Sequence, residues 1–292
     1  MKVTEAIERA RNVMRRQHKT ISTEQTYLHW LRHYICAVKS MPQDLSSELK
    51  LERFLTDLAL KKNVSAATQN QAFNAILFFY KDVIGKPLQS VDALRATRPE
   101  RIRRAPSVRE TMELLAEIKN EAGYPTNLIA RMLYGCGLRV TEPLNLRVKD
   151  LDFDNSRIFI LAAKGRKDRV ITMPCSIVEE LRGQLDWARS VWRRDSEATI
   201  PLEIPHALDR KYPETRFSWQ WAWVFPAHWP CKHPRTGELV RYRMHEANVQ
   251  RAILHARRKI GVMILPHELR HAYATHSLER GVNISGPLSP TK

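Results

Sequence analysis

The stretch Pro266-His267-Glu268-Leu269-Arg270-His271 contains H-E-x-x-H, a spacing that sets two imidazoles on one helical face as zinc ligands beside a water-activating glutamate. A zinc hydrolase of this kind needs a third protein ligand further along. In the extended form of the motif that ligand falls on Ser277 and the required glycine on Ala274, while His276 misses by one position, about 100° around a helix. Arg270 is also badly placed for a metal. It lies about 60° around the helix from His267 and presents a fixed positive charge to a dication.

The same residues suit an anion. Pro266 favours the first turn of a helix, so His267 and Arg270 project near free N–H groups and the positive end of the helix dipole. Arg270 has the fork geometry to grip two phosphate oxygens, and His267 can donate to the same group. The chemistry these residues propose is a phosphate clamp.

The whole chain favours polyanions. Among 292 residues, 48 Lys and Arg face 31 Asp and Glu, a net charge of +17, and the basic residues recur along the entire length. Nucleic acid is the partner this implies. The length suits about two domains of roughly 150 residues. The longest apolar runs, such as 75–80, are too short to span a bilayer, and the charged N-terminus lacks the apolar block of a signal peptide, so a cytoplasmic protein is expected. Four scattered cysteines without a C-x-x-C read as reduced packing residues.

The elements that position the clamp follow from caps and periodicity. Ser22 with Gln25 reads as a helix start, followed by a stripe of Tyr27, Trp30, Leu31, Tyr34 and Ile35. Ser65 reads as the cap of a second helix, with Phe73, Ile76, Leu77, Tyr80 and Ile84 as its stripe and Gly85 as its stop. The first hundred residues are predicted all-helical. Residues 95–110, broken by Pro99 and Pro106 and dense in arginine, read as a basic linker, with a domain boundary near Glu100. Helical patterns resume at 107–120 and 125–137. Residues 158–161 and 169–173 read as two strands of a hairpin with a basic tip, "KGRKD". Six of the seven tryptophans fall between Trp187 and Trp229, and Trp219, Trp221 and Trp223 alternate as along a strand. Such a cluster serves either as core or as a stacking platform for bases.

Three boxes in order carry a resemblance. "YGCGLRVTEPLNLRVKDLD" resembles the first box of the tyrosine recombinases, with Arg139 as its arginine and Glu142 as its glutamate; "AAKGRKDRV" resembles their β-hairpin with the catalytic lysine at Lys164; "HELRHAYATH" resembles their H-x-L-R-H box, with His267 and Arg270. The resemblance covers nearly the whole chain. It implies a fold that is mainly α with a small antiparallel β-sheet, residues 1–100 forming a helical DNA core-binding domain and 101–292 a mixed α+β catalytic domain. The segment "LDRKYPETRFSWQWAWVFPAHWPCKHPRTGELVRYRMHEANVQRAI", within a Trp-rich insert of about 187–248, resembles the extra segment of the integron integrase branch. That branch recognises folded single-stranded hairpins through bases pushed out of the stack. The resemblance therefore implies DNA contacts from Trp219, Trp221, Pro234, Tyr242 and Arg243. Where that branch has D-P-R-x-G and often paired histidines, this chain has His233 in place of the aspartate, and Tyr242 with Arg243.

The implied chemistry is transesterification at a DNA phosphodiester without metal or nucleotide cofactor. Arg139 and Arg270 would neutralise the pentacoordinate phosphate, Lys164 would protonate the departing 5′-oxygen, and His267 would assist proton transfer. The attacking group would be a tyrosine beyond a further helix and an L-G-H or L-G-W turn. Only 22 residues follow Arg270, the last of them "SGPLSPTK", and Tyr273 is the only tyrosine among them. Three residues after Arg270, Tyr273 reads as a packing residue, so the expectation is a C-terminally truncated recombinase without its nucleophile. The competing expectation is a non-catalytic DNA-binding remnant or regulator. The family assembles as a tetramer on DNA, whereas a chain lacking its C-terminal segment is expected as monomers or dimers.

Overall fold

In the computed structural model the described residues are 3–89, 91, 104–121, 123–161, 168–204 and 206–281, with the side chains of 206 and 207 excepted. The chain divides into two compact units, Met1–Ile102 and Arg103–Lys292.

The described part of the first unit is helical. Helices α1 (Val3–Arg16), α2 (Ile21–Lys39), α3 (Ser47–Leu60) and α4 (Ala66–Phe78) pack around Met14, Leu31, Leu51, Leu55 and Ile76. Each such side chain, removed from water, contributes on the order of 1.5–3 kcal/mol. The second helix starts two residues earlier than Ser22 suggests. Thr20 is extended and its hydroxyl accepts from the Thr23 N–H, so Thr20 satisfies a free donor of the first turn. At α4 Ser65 caps as expected, accepting from Thr68 N–H, and Gly85 ends the run in the left-handed conformation at φ 79°. The buried centre of that run is rotated from the expected stripe. Ala72, Ile76, Phe79 and Val83 are buried, Phe73, Leu77, Tyr80 and Ile84 flank them, and the last turn widens to a π-helix over Phe79–Ile84.

The second unit is mixed. It runs through α5 (Val108–Glu117), α6 (Thr126–Gly135), the short α7 (Thr141–Leu144), strands β1 (Leu151–Asp152), β2 (Arg157–Ile160) and β3 (Arg169–Thr172), then α8 (Cys175–Glu197) and α9 (His206–Lys211). Strands β4 (Cys231–Lys232) and β5 (Leu239–Val240) follow, then α10 (Glu246–Ile260) and α11 (Pro266–Glu279). Ser107 and Glu110 form a reciprocal capping box at α5. The β1–β2–β3 sheet is antiparallel, with Ile158 opposite Ile171, and Ile158 and Ile160 face the core. Helix α6, with Ile129, Met132 and Leu133 fully buried, is the central post against which α8, α10 and α11 pack. The fold is therefore mainly α with a small antiparallel sheet, as the sequence predicts.

The tryptophan segment departs from its expected strand. Trp219–Trp221 forms a 3-10 turn, with the Trp221 and Ala222 N–H groups donating to Ser218 and Trp219 carbonyls. Arg147 is the physical reason. Its guanidinium lies 3.0 Å from the centre of the Trp223 ring and donates to the Trp221 carbonyl at 2.9 Å, pulling Trp223 into the core and turning the chain before it. Burial draws Arg147 down to about 9, against the pull of Glu203 and Asp150. The tip of the β2–β3 hairpin, most of the basic linker and the C-terminal "SGPLSPTK" lie outside the described residues. Among the described residues no helix is long and apolar enough to cross a membrane.

Candidate functional site

The site begins at the end of α6, where the chain turns at Gly137. Its φ of 61° favours glycine, and a Cβ there would strike the Tyr273 ring. Arg139 follows on the turn, and Glu142, one residue into α7, reaches back to it. One carboxylate oxygen accepts the Arg139 backbone N–H at 2.9 Å and the other accepts Arg139 Nη1 at 2.8 Å.

Glu142 is shared. Arg169, the first residue of β3, donates from Nη1 and Nη2 to the two oxygens at 3.1 and 2.6 Å. Arg270, in the first turns of α11, donates Nη1 to the Gly137 carbonyl at 2.7 Å and stands 3.7 Å from Glu142. Burial pushes the Glu142 carboxyl up, but the hydrogen bonds from Arg169 and Arg139 outweigh it and hold it below its ordinary value. Arg270 is drawn below the usual arginine value by burial and by neighbouring Arg139.

The start of α11 is built as expected from Pro266, with Glu268 accepting the Leu265 N–H at 2.6 Å. Arg139, His267 and Arg270 line one cavity of about 650 Å³, to which Ile253, Leu254 and Leu265 also contribute. Residues far apart in sequence converge there. Lys164 lies outside the described residues.

Tyr273 is not among the described residues that line this cavity. Its ring lies on the Gly137 backbone, and its hydroxyl, raised above the ordinary tyrosine value by burial, bonds Ser277. His276, the near miss for a third metal ligand, is buried between the Tyr134 hydroxyl at 3.0 Å and the Pro106 carbonyl at 2.9 Å.

The insert residues form two groups. Trp219 and Trp221 are half-buried beside Leu202 and Ile204; the Arg189 guanidinium covers Trp219 at 4.8 Å and the Lys149 ammonium covers Trp221 at 4.6 Å. Tyr242, Pro234 and Arg243 belong to the β4–β5 hairpin and its flank. The Tyr242 ring stacks on His233 at 6.1 Å, and burial pushes its hydroxyl up to about 12. Pro234 is exposed in the turn, and Arg243 donates to the Met244 carbonyl at 3.2 Å. His233 stands where the resemblance implies an aspartate, and its Nδ1 accepts the Arg235 and Thr236 N–H groups, each at 3.2 Å. A buried pair holds the insert to α8, with Arg241 Nε and Nη2 each 2.5 Å from the Asp195 carboxylate.

Three residues escape the sequence reading. Arg169 looks like one more base in "KGRKDR"; its spacing of five from Lys164 along a hairpin was the available signal. Lys149 carried none, and Trp229 reads only as the end of the tryptophan cluster. Trp229 is 82% exposed, beside His228, whose ring stacks flat on Tyr124 at 3.8 Å.

Comparison with known proteins agrees with this architecture. Residues 7–90 match the phage integrase N-terminal SAM-like domain, and residues 107–286 match the phage integrase family. An integrase/recombinase of Escherichia coli is 38% identical over 97% of this chain and 84% of its own length. The tyrosine recombinase XerA of Thermococcus kodakarensis is 28% identical over 96% of this chain and 83% of its own. Among solved structures, the Tn1549 transposon integrase in complex with transposon right end DNA superposes with a TM-score of 0.61 at 17% identity, over 97% of this chain and 88% of that one. The lambda integrase tetramer bound to a Holliday junction gives 0.60 at 13%, over 97% and 72%. Fold and site define a two-unit, mainly helical protein with clustered arginines around one carboxylate. The chain belongs to the phage integrase family, the tyrosine recombinases.

Proposed function

We propose that this protein is a site-specific DNA recombinase of the integron integrase type. Convergence of Arg139, Arg270 and His267 on one cavity is the observation that carries the reading. Arg139 and Arg270 would hold the scissile phosphate and neutralise the charge that builds as its phosphorus becomes pentacoordinate. His267 would assist proton transfer, and Lys164 would protonate the 5′-oxygen that leaves. Residues 1–100 would hold the core of the DNA site, and the insert would hold hairpin sites with unpaired bases, which stack on Trp219 and Trp221 with Pro234, Tyr242 and Arg243 nearby. The copies would assemble on DNA.

A second reading, a DNA-binding protein that does not cleave, is favoured by the placement of Tyr273. Its ring lies against the Gly137 backbone and it is not among the residues lining the cavity of Arg139, His267 and Arg270, so we do not assign Tyr273 as nucleophile. A suicide recombination substrate separates the two. A covalent protein–DNA adduct on denaturing gels establishes cleavage; retention of the substrate without an adduct establishes the binding protein.

A further inference from the structure

Over the Trp221 ring stands a cation. The Lys149 ammonium lies 4.6 Å from the ring centre, and the Arg189 guanidinium covers Trp219 at 4.8 Å in the same way. Lys149 is also held from the side. Its Nζ donates to Asp150 Oδ1 at 3.0 Å, and the other oxygen of that buried carboxylate accepts the Arg147 backbone N–H at 2.9 Å. Trp221 itself packs against the cluster of Leu202, Ile204 and Ala222, so part of the ring is already committed to the core.

A base stacks at ordinary carbon contact, roughly 3.5–4 Å from the ring it covers. An ammonium 4.6 Å from the ring centre fills that space, so base and cation cannot share the face. Displacing the ammonium forfeits its attraction to the ring unless another anion receives it. A nucleotide supplies both groups at once, since its neutral base is joined through one sugar to a singly charged phosphate, and lysine's flexible four-carbon stem allows the swing. We propose that Lys149 is a displaceable cover on Trp221: an unpaired base takes the ring face, and the released ammonium pairs with the phosphate of that same nucleotide. Stacking and charge neutralisation are then one event. Lys149 engages phosphate only where a base is present to displace it. This rests on reading Trp221 as a stacking site for unpaired bases.

The 292-residue chain is titrated with two labelled DNA hairpins between about 50 and 200 mM salt. They are alike except that in the second the unpaired bases are replaced by abasic sites that keep sugar and phosphate. The unaltered chain should bind the first hairpin more tightly, and over this span the first should lose about threefold more affinity than the second, the effect of one added phosphate contact. Lys149→Met should abolish that extra threefold on the first hairpin and leave the salt response on the abasic hairpin unchanged. Lys149→Arg, which keeps the charge, should restore it. The same salt response on both hairpins in the unaltered chain, or an equal flattening of both in Lys149→Met, would overturn the proposal while leaving Trp221 as a stacking site. Equal affinity of the unaltered chain for the two hairpins would remove the stacking reading itself, and the cover with it.

Discussion

Arg270 Nη1 donates to the carbonyl oxygen of Gly137 at 2.7 Å, across 133 residues of sequence, and so fastens the start of α11 to the turn that carries Arg139. The two arginines of the site thus share one support. That support is a backbone carbonyl, which carries no net charge and leaves the positive charge of Arg270 available to an anion.

Glu142 is the carboxylate that Arg139, Arg169 and Arg270 meet, and its removal is expected to destabilise the second unit by about 2 kcal/mol, the scale of a lost buried, charge-assisted hydrogen-bond set. The pH dependence has a definite sign. Because the folded carboxyl lies below its ordinary value of 4.5, its stabilisation is fully present above pH 4.5 and lost as pH falls towards the depressed value. Urea melts from pH 7 to pH 3 should show a steep acid limb that Glu142→Gln flattens. An unchanged limb would mean that another carboxylate governs acid unfolding.

Gly137→Ala is expected to cost about 3 kcal/mol, since a left-handed backbone and the Tyr273 ring both oppose a Cβ there. Tyr273→Phe should cost only about 1 kcal/mol, the Ser277 hydrogen bond, and leave DNA affinity unchanged. Thermal melts and gel shifts on both variants check this. A covalent DNA adduct abolished by Tyr273→Phe would overturn the packing role.

Asp195→Asn should destabilise the insert by about 3–5 kcal/mol, because Arg241 is then left buried without its carboxylate. Limited proteolysis should cut first near residues 227–243, where Arg241 also donates to the Ala227 carbonyl at 2.7 Å. Cleavage that instead begins in the first unit contradicts the assignment.

The tryptophans should separate by role. Trp223→Ala removes the face on which Arg147 lies and should unfold the insert. Trp221→Ala should weaken binding of a DNA hairpin with unpaired bases by about 1–3 kcal/mol, the value of one base stack, and leave plain duplex binding nearly unchanged. Trp229→Ala, at an 82% exposed position, should not change the melting temperature. Equal losses on hairpin and duplex would return Trp221 to a purely structural role.

Binding itself should fall steeply with salt, as expected when several phosphates are neutralised. A gel-shift titration between 50 and 200 mM salt, roughly the span over which such losses become large, checks this. A flat response would remove nucleic acid as the partner.

What the sequence determined by itself is local. Ser65 announces its helix because a cap is satisfied by a donor three residues away, and Pro266 because its fixed φ suits a first helical turn. The strands around Ile158 and Ile171 are legible from β-rich runs on either side of a turn, and Arg139, His267 and Arg270 from the boxes they sit in. Tertiary structure decided the rest. Whether Arg169 is a stray base or Glu142's second partner depends on where β3 lies against α7, and whether Trp219–Trp221 runs as a strand or a turn depends on Arg147, some 70 residues earlier. For Tyr273, which the sequence already reads as a packing residue, only the meeting of α11 with the turn at Gly137 shows what its ring packs on. In each case the partner is distant in sequence. Local periodicity carries the near neighbours of a residue, whereas the partner of a buried charge or ring is chosen by the packing of whole elements, which sequence spacing does not encode.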